Sequence, residues 1–154
     1  MLEDHAPTLI YHPWRTLRTD WPHVDVEHTD DLPDGRLADT NGVDEIRMRR
    51  RLLQVDRRCA LAHELVHLEH GDGHPCTPEV EAAVTLEAAR RLISWEQLLA
   101  AVRWAHSEQE LADELWVTVQ MLRARTDALH ADELMEIARA VHDAHHVMPP
   151  EEHP

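Results

Sequence analysis

One run of residues constrains this chain more than any other: a helical periodicity from about Arg50 to His70 that is apolar on two faces. Leu52, Val55, Cys59, Ala62 and Val66 follow one helical stripe, and Leu61, Leu65 and Leu68 cover a second. A helix sheltered on two sides has to lie inside the protein, with other elements wrapped around it. Gly71-Asp72-Gly73 ends it, because glycine takes the left-handed conformation that closes a helix. A length of 154 residues allows one domain with a real core and is too short for two generous ones. Without phenylalanine and with one tyrosine, that core must come from Leu, Ala, Val and five tryptophans.

The segments before this helix read differently. Pro13 opens a short helix over 14–21, with Trp14, Leu17 and Trp21 on one side, and Pro22 stops it. His23 to His28 alternates apolar and polar residues, as does Val43 to Arg49 around Ile46 and Met48, which predicts two half-buried strands. Leu32-Pro33-Asp34-Gly35 and Asn41-Gly42 are turns. After the glycine turn, Thr77 caps and Pro78 starts a helix running to about Ile93. Ser94 to Gln97 and Ser107 to Glu110 open two more as capping boxes. Leu129 to Val147, with Leu134, Ile137, Ala138 and Val141 in register, predicts a covering helix. The expected architecture is therefore one α+β domain over 1–148, a small N-terminal sheet and a mostly helical C-terminal half. Residues 149–154 are expected to be a flexible tail.

Charge and cysteine content narrow the function classes. Thirty acids against fifteen bases give a net charge of −15, which disfavours binding to nucleic acid or anionic lipid. Two cysteines make no disulfide framework, and Cys59 falls in the helical pattern as a small apolar residue. No secretory leader and no run of roughly 20 apolar residues is visible, so the expected location is cytoplasmic, with reduced thiols and no membrane partner.

Within the central helix stands His63-Glu64-Leu65-Val66-His67. Histidines four apart project from one helix face about 6 Å apart, so both imidazoles can bind a single Zn²⁺. Glu64 follows the first of them and is positioned to take a proton from a water that attacks a carbonyl. The chain holds 14 histidines, which makes accidental matches more frequent. Against accident stands the local composition, since two histidines and a glutamate sit in a stretch otherwise made of Ala, Leu and Val. Burying unpaired polar groups costs about 1–3 kcal/mol each. Ala60, one turn earlier, leaves room for a ligand.

A catalytic zinc needs a third protein ligand. The HExxHxxGxxH arrangement asks for glycine at position 70 and histidine at 73. Here those positions hold His70 and Gly73, with Gly71 and His74 each one residue late. The other solution takes a glutamate from the following helix. Glu81 shares a face with Val84, Ala88 and Leu92, the stripe expected to pack on the central helix, and is the choice. Glu79, Glu87, His70 and His74 remain as alternatives.

The run from Arg57 through His63-Glu64-Leu65-Val66-His67 to Gly71, followed by Glu81-Ala82-Ala83-Val84 and Glu87 to Ile93, resembles the ImmA/IrrE family of metallo-endopeptidases. It looks closest to the compact actinobacterial and phage versions. The resemblance extends back to Pro13–Arg18 and forward to Leu111–Val117. It implies a zincin-like metallopeptidase domain with zinc on His63, His67 and Glu81, and Glu64 as the catalytic residue. It also implies a protein substrate, such as a helix-turn-helix repressor in phage or mobile-element immunity or stress response. The sequence departs from the family pattern at Thr85, Glu87 and Ser94, where Asn/Asp, Phe and Pro are usual.

Rival readings are a non-catalytic, zinc-stabilised interaction protein and a DNA-binding regulator built on residues 107–126. The latter segment has a helix-turn-helix cadence, with Gln120, Arg123 and Arg125 as readers. Trp116 in the usual glycine position, the acidic surroundings and the net charge favour a packing segment instead. For the Arg-rich end of the second strand (Arg47, Arg49, Arg50, Arg51), a solvated strand end is expected ahead of a peptide-holding edge strand. His130, His142, His145 and Tyr11 are candidates for polarising a substrate carbonyl.

Overall fold

The central helix exists because its two apolar faces are both covered. The computed structural model describes residues 10–146; the tail expected at 149–154 lies outside the described residues. In chain order these residues form α1 (Pro13–Asp20), β1 (Asp25–Thr29), β2 (Ala38–Thr40), β3 (Glu45–Arg49) and α2 (Gln54–His70). Then come α3 (Pro78–Leu92), α4 (Trp95–Val102), α5 (Glu108–Glu114), α6 (Val119–Asp127) and α7 (Ala131–His146). The architecture is α+β, a three-stranded sheet followed by a helical half.

One face of α2, with Cys59, Ala62 and Val66, packs with Val84, Ala88, Ala89 and Leu92 of α3 and with Leu98, Ala112, Val117 and Leu122 beyond. The other face, with Leu61, Leu65 and Leu68, packs with Leu17, Ala38, Ile46 and Met48 from α1 and the sheet. Each leucine buried this way contributes about 1.5–3 kcal/mol. The helix thus separates two cores and holds its polar residues in the seam between them. It starts at Gln54 rather than near Arg50, because Arg51 takes a left-handed φ of 58° and Leu53 is the N-cap. Leu52 accordingly joins the sheet-side core. Gly71 ends the helix at φ 69°, as the glycine turn predicts.

The sheet order is β1-β3-β2, with β1 parallel and β2 antiparallel to β3. β3 is central, with Ile46 and Met48 fully buried, so it has no free edge for a peptide. The arginine-rich end is solvated as expected at Arg50 and Arg51, which are exposed, while Arg47 and Arg49 are half-buried. Arg47 pairs with Asp39, Arg49 donates to the carbonyls of Leu32, Pro33 and Arg36, and Arg50 donates to that of His28. The edges belong to β1 and to β2, the latter a three-residue strand too short to leave a periodicity in the sequence. Leu37 and Asn41 bond toward β3, so Ala38 and Thr40 turn their backbone groups outward.

Ser94 forms the reciprocal capping box with Gln97. Ser107 caps through Glu110 N–H, but the Glu110 carboxylate accepts from His106 N–H, so the second box is only half formed. Residues 107–126 pack as expected, burying Ala112, Val117, Met121 and Leu122, and Trp116 adopts the left-handed φ of 55° in the turn. Of the rival reading's three DNA readers, Arg125 is buried against the Ile93 carbonyl, Arg123 pairs with Glu108 on the surface and Gln120 is exposed. α7 covers the helical half with part of its expected stripe, since Ile137 and Val141 are half-buried. Ala140 is buried, while Leu134 and Ala138 face outward. No helix among the described residues is long and apolar enough to cross a membrane.

Candidate metal centre

The side chains of the site come from three stretches: the last turns of α2, the first turn of α3 and the loop between them. His63 and His67 point the same way from α2, their Nε2 atoms 3.2 Å apart. α3 folds back along α2, and its stripe Val84, Ala88, Leu92 is buried between the helices. That packing brings the Glu81 carboxylate 3.1 Å from His63 Nε2 and 3.0 Å from His67 Nε2. His74, from the loop, completes a group of four whose ligand atoms all lie within 4.8 Å of one another. This group can hold a metal ion.

Elsewhere the expected alternatives fall away. Glu79 is exposed in the first turn of α3. Glu87 and His70 pair with each other on the surface, and Glu87 also binds Arg91. Glu81 is the glutamate that reaches both histidines. His74 belongs to the group as well, in addition to Glu81 rather than in place of it.

The loop is held in place by backbone contacts. Asp72 N–H bonds the His67 carbonyl, and His74 N–H bonds the Thr40 carbonyl on the outer edge of β2. Two glycines permit this approach. A Cβ at Gly73 would lie 2.7 Å from the Asn41 carbonyl oxygen, and one at Gly42 would lie 2.7 Å from Asp72 C. So seated, His74 presents Nε2 to Glu64 Oε2 at 3.1 Å and Nδ1 to Glu81 Oε1 at 3.4 Å. Both side chains of the His74–Glu64 pair are almost fully buried.

Outer contacts orient the rest. Thr85 Oγ1 lies 3.3 Å from His63 Nδ1, which leaves Nε2 for the centre. The Cys76 thiol donates to Glu81 Oε1 at 3.0 Å. His67 is fully buried and its Nδ1 has no hydrogen-bond partner, so all its polar contacts lie on the Nε2 side. Burial lowers the pKa of His63 despite the nearby Glu64 and Glu81 carboxylates, which favours the neutral ring with a free lone pair. For Glu81, burial works upward, but the Cys76 thiol, the charge of His63 and the hydrogen bond from His67 outweigh it and hold the carboxyl below its ordinary value. The hydrogen bond to Glu64 raises His74. Burial, then Glu81, pushes the Cys76 thiol up to about 11.

His63, Glu64, His74 and Glu81 line a cleft of about 390 Å³, walled by Arg36, Leu37 and Ala38 before β3 and by Thr118, Gln120 and Met121 of the helical half. Ala60 lines it too, one turn before His63. Tyr11 does not line it; its buried hydroxyl has no partner and its ring packs on the helical core. His130, His142 and His145 are exposed and also lie outside it, His142 stacked with His146 at 3.9 Å between ring centroids. Thr85 appeared in the sequence only as a departure from a family pattern. Cys76 and the seat of His74 left no signal there, because both depend on where the loop meets β2.

The chain matches no family model, no curated protein and no solved structure. What stands is an α+β chain with a metal-competent histidine–glutamate group at the wall of a cleft.

Proposed function

We propose that this chain is a zinc-dependent endopeptidase of zincin-like fold, with His63, His67 and Glu81 holding the metal and Glu64 as general base. The observation that carries this reading is the mutual spacing of the three donor sets. Tetrahedral zinc with ligands at about 2.0–2.1 Å separates its donor atoms by roughly 3.3 Å. The two Nε2 atoms and the Glu81 oxygens are 3.0–3.2 Å apart. Acceptor atoms crowded this closely are stabilised by a cation among them, so the residues fit the group.

Bound there, zinc supplies Lewis acidity for hydrolysis of a carbonyl substrate. Thr85 fixes the His63 ring, and Cys76 steadies the Glu81 carboxylate. Glu64, on the same wall of the cleft, takes a proton from the attacking water on a carboxylate oxygen and returns it to the leaving amine. The outward edge of β2 beside the cleft offers an extended peptide backbone groups for strand addition.

The ImmA/IrrE resemblance supports a protein regulator, such as a helix-turn-helix repressor, as substrate. The burial of Arg125 and the net charge of −15 support a protein rather than a DNA partner. One observation favours the zinc-stabilised, non-catalytic alternative: the group contains four protein donors rather than three. The two readings separate on Glu64→Gln. Incubated with a peptide library and read by mass spectrometry, zinc-loaded wild type is expected to generate new termini. Glu64→Gln, at equal zinc content, is expected to generate none. Equal cleavage by both would remove Glu64 from the mechanism.

A further inference from the structure

His74 stands at the meeting point of three features that are separate in sequence. Its Nε2 engages Glu64, its Nδ1 faces Glu81 beside the two α2 histidines, and its backbone N–H occupies the Thr40 carbonyl on the free edge of β2. A histidine that binds a metal through one nitrogen regularly donates its other N–H to a carboxylate. His74 has that arrangement, with Glu64 as the carboxylate. The 3.4 Å from Nδ1 to Glu81 Oε1 matches the roughly 3.3 Å between donors around a tetrahedral zinc.

We propose that His74 is a fourth protein ligand, through Nδ1, closing the centre in the resting state; this rests on the zinc reading above. Four protein ligands leave no position for water, whereas a catalytic zinc keeps one open. The same side chain also holds Glu64 away from its role as base. A single contact therefore blocks both halves of the mechanism. The loop that delivers His74 further covers one carbonyl of the strand edge where a peptide would pair. Withdrawal of residues 71–76 from β2 frees the metal position, Glu64 and the Thr40 carbonyl together. An extended substrate entering along β2 competes for that carbonyl, so the substrate itself acts on the latch.

The loop is built for this seat rather than lying there by accident. Gly42 and Gly73 remove the two Cβ atoms that would otherwise meet backbone across the contact. His74 is almost fully buried in a loop whose neighbours Gly71 and Pro75 are exposed.

X-ray absorption at the zinc edge counts bound imidazoles without any substrate. On the full-length protein loaded with one equivalent of zinc, the expected count is three, from His63, His67 and His74. His74→Ala is expected to show two imidazoles plus oxygen. It should also release zinc to a chelator at least about tenfold faster, since even the outer partners of a ligand are worth 10–100-fold in affinity. Two imidazoles in wild type would overturn the proposal and leave the zinc reading standing. A wild type that binds no zinc would overturn both. Should His74→Ala fail to fold, the wild-type count alone decides.

Discussion

Replacing Gly42 by alanine tests whether the loop carrying His74 is pinned to the sheet by close backbone approach. Gly42 has φ 76°, and alanine in that left-handed region costs about 1–2 kcal/mol. Its Cβ would also lie 2.7 Å from Asp72 C, 2.8 Å from Asp72 O and 2.9 Å from Gly73 N, all backbone atoms. Carbon contacts settle near 3.5–4.0 Å, so the loop and the turn must part by roughly 0.7 Å or more. Overpacking of this kind costs about 1–3 kcal/mol. Gly35→Ala is the control, with φ 78° and nothing within 4 Å of the added Cβ. Gly42→Ala should therefore lose about 1–3 kcal/mol more than Gly35→Ala, a further drop in Tm of roughly 2–12 °C. Thermal unfolding of the metal-free proteins by circular dichroism reads this difference. Hydrogen exchange at the His74 amide should speed up in Gly42→Ala alone, because its bond to Thr40 is lost. Equal Tm losses with unchanged His74 exchange would refute the close-approach reasoning.

Three further outcomes follow from the same geometry. Thr85→Val removes the partner of His63 Nδ1 and should weaken zinc binding about 10–100-fold in chelator competition, with little change in Tm. Cys76, held protonated up to about pH 11, should be alkylated slowly by iodoacetamide at neutral pH in the metal-free protein. Its rate should climb through about 11 rather than through the ordinary thiol range, and a midpoint near 8.5 would contradict its bond to Glu81. Arg58, buried, joins the carbonyls of Tyr11 and Trp116 at 3.0 and 2.7 Å. Arg58→Ala should cost about 3–6 kcal/mol in urea unfolding, since hydrogen bonds from a charged donor are worth about 1.5–3 kcal/mol each.

The parts of the fold that local chemistry dictates were readable in advance. The two stripes of α2 became the two cores, and Thr77-Pro78 began α3. The His63–Glu64–His67 spacing and the stripe of Val84, Ala88 and Leu92 were enough to choose Glu81, because helix geometry fixes which side chains share a face. β2 was missed since three residues carry no period, and its absence made β3 look like an available edge. The seat of His74, which the sequence offered only as an alternative to Glu81, was missed for a related reason. It depends on two glycines 31 positions apart in sequence meeting across a turn, a contact no local pattern encodes. For α7 the stripe holds at Ile137 and Val141 and fails at Leu134 and Ala138, which fit a helical period as well as Ala140 does, and only the neighbouring helices decide between them.

The most direct measurement is the zinc content of the purified chain after dialysis against metal-free buffer, beside His67→Ala and Glu81→Ala. One zinc per wild-type chain, with less retained in either variant, is the expected result, because each variant deletes a donor from a set spaced at 3.0–3.2 Å. No zinc in wild type, or full occupancy in both variants, would contradict the metal centre on which the peptidase reading stands.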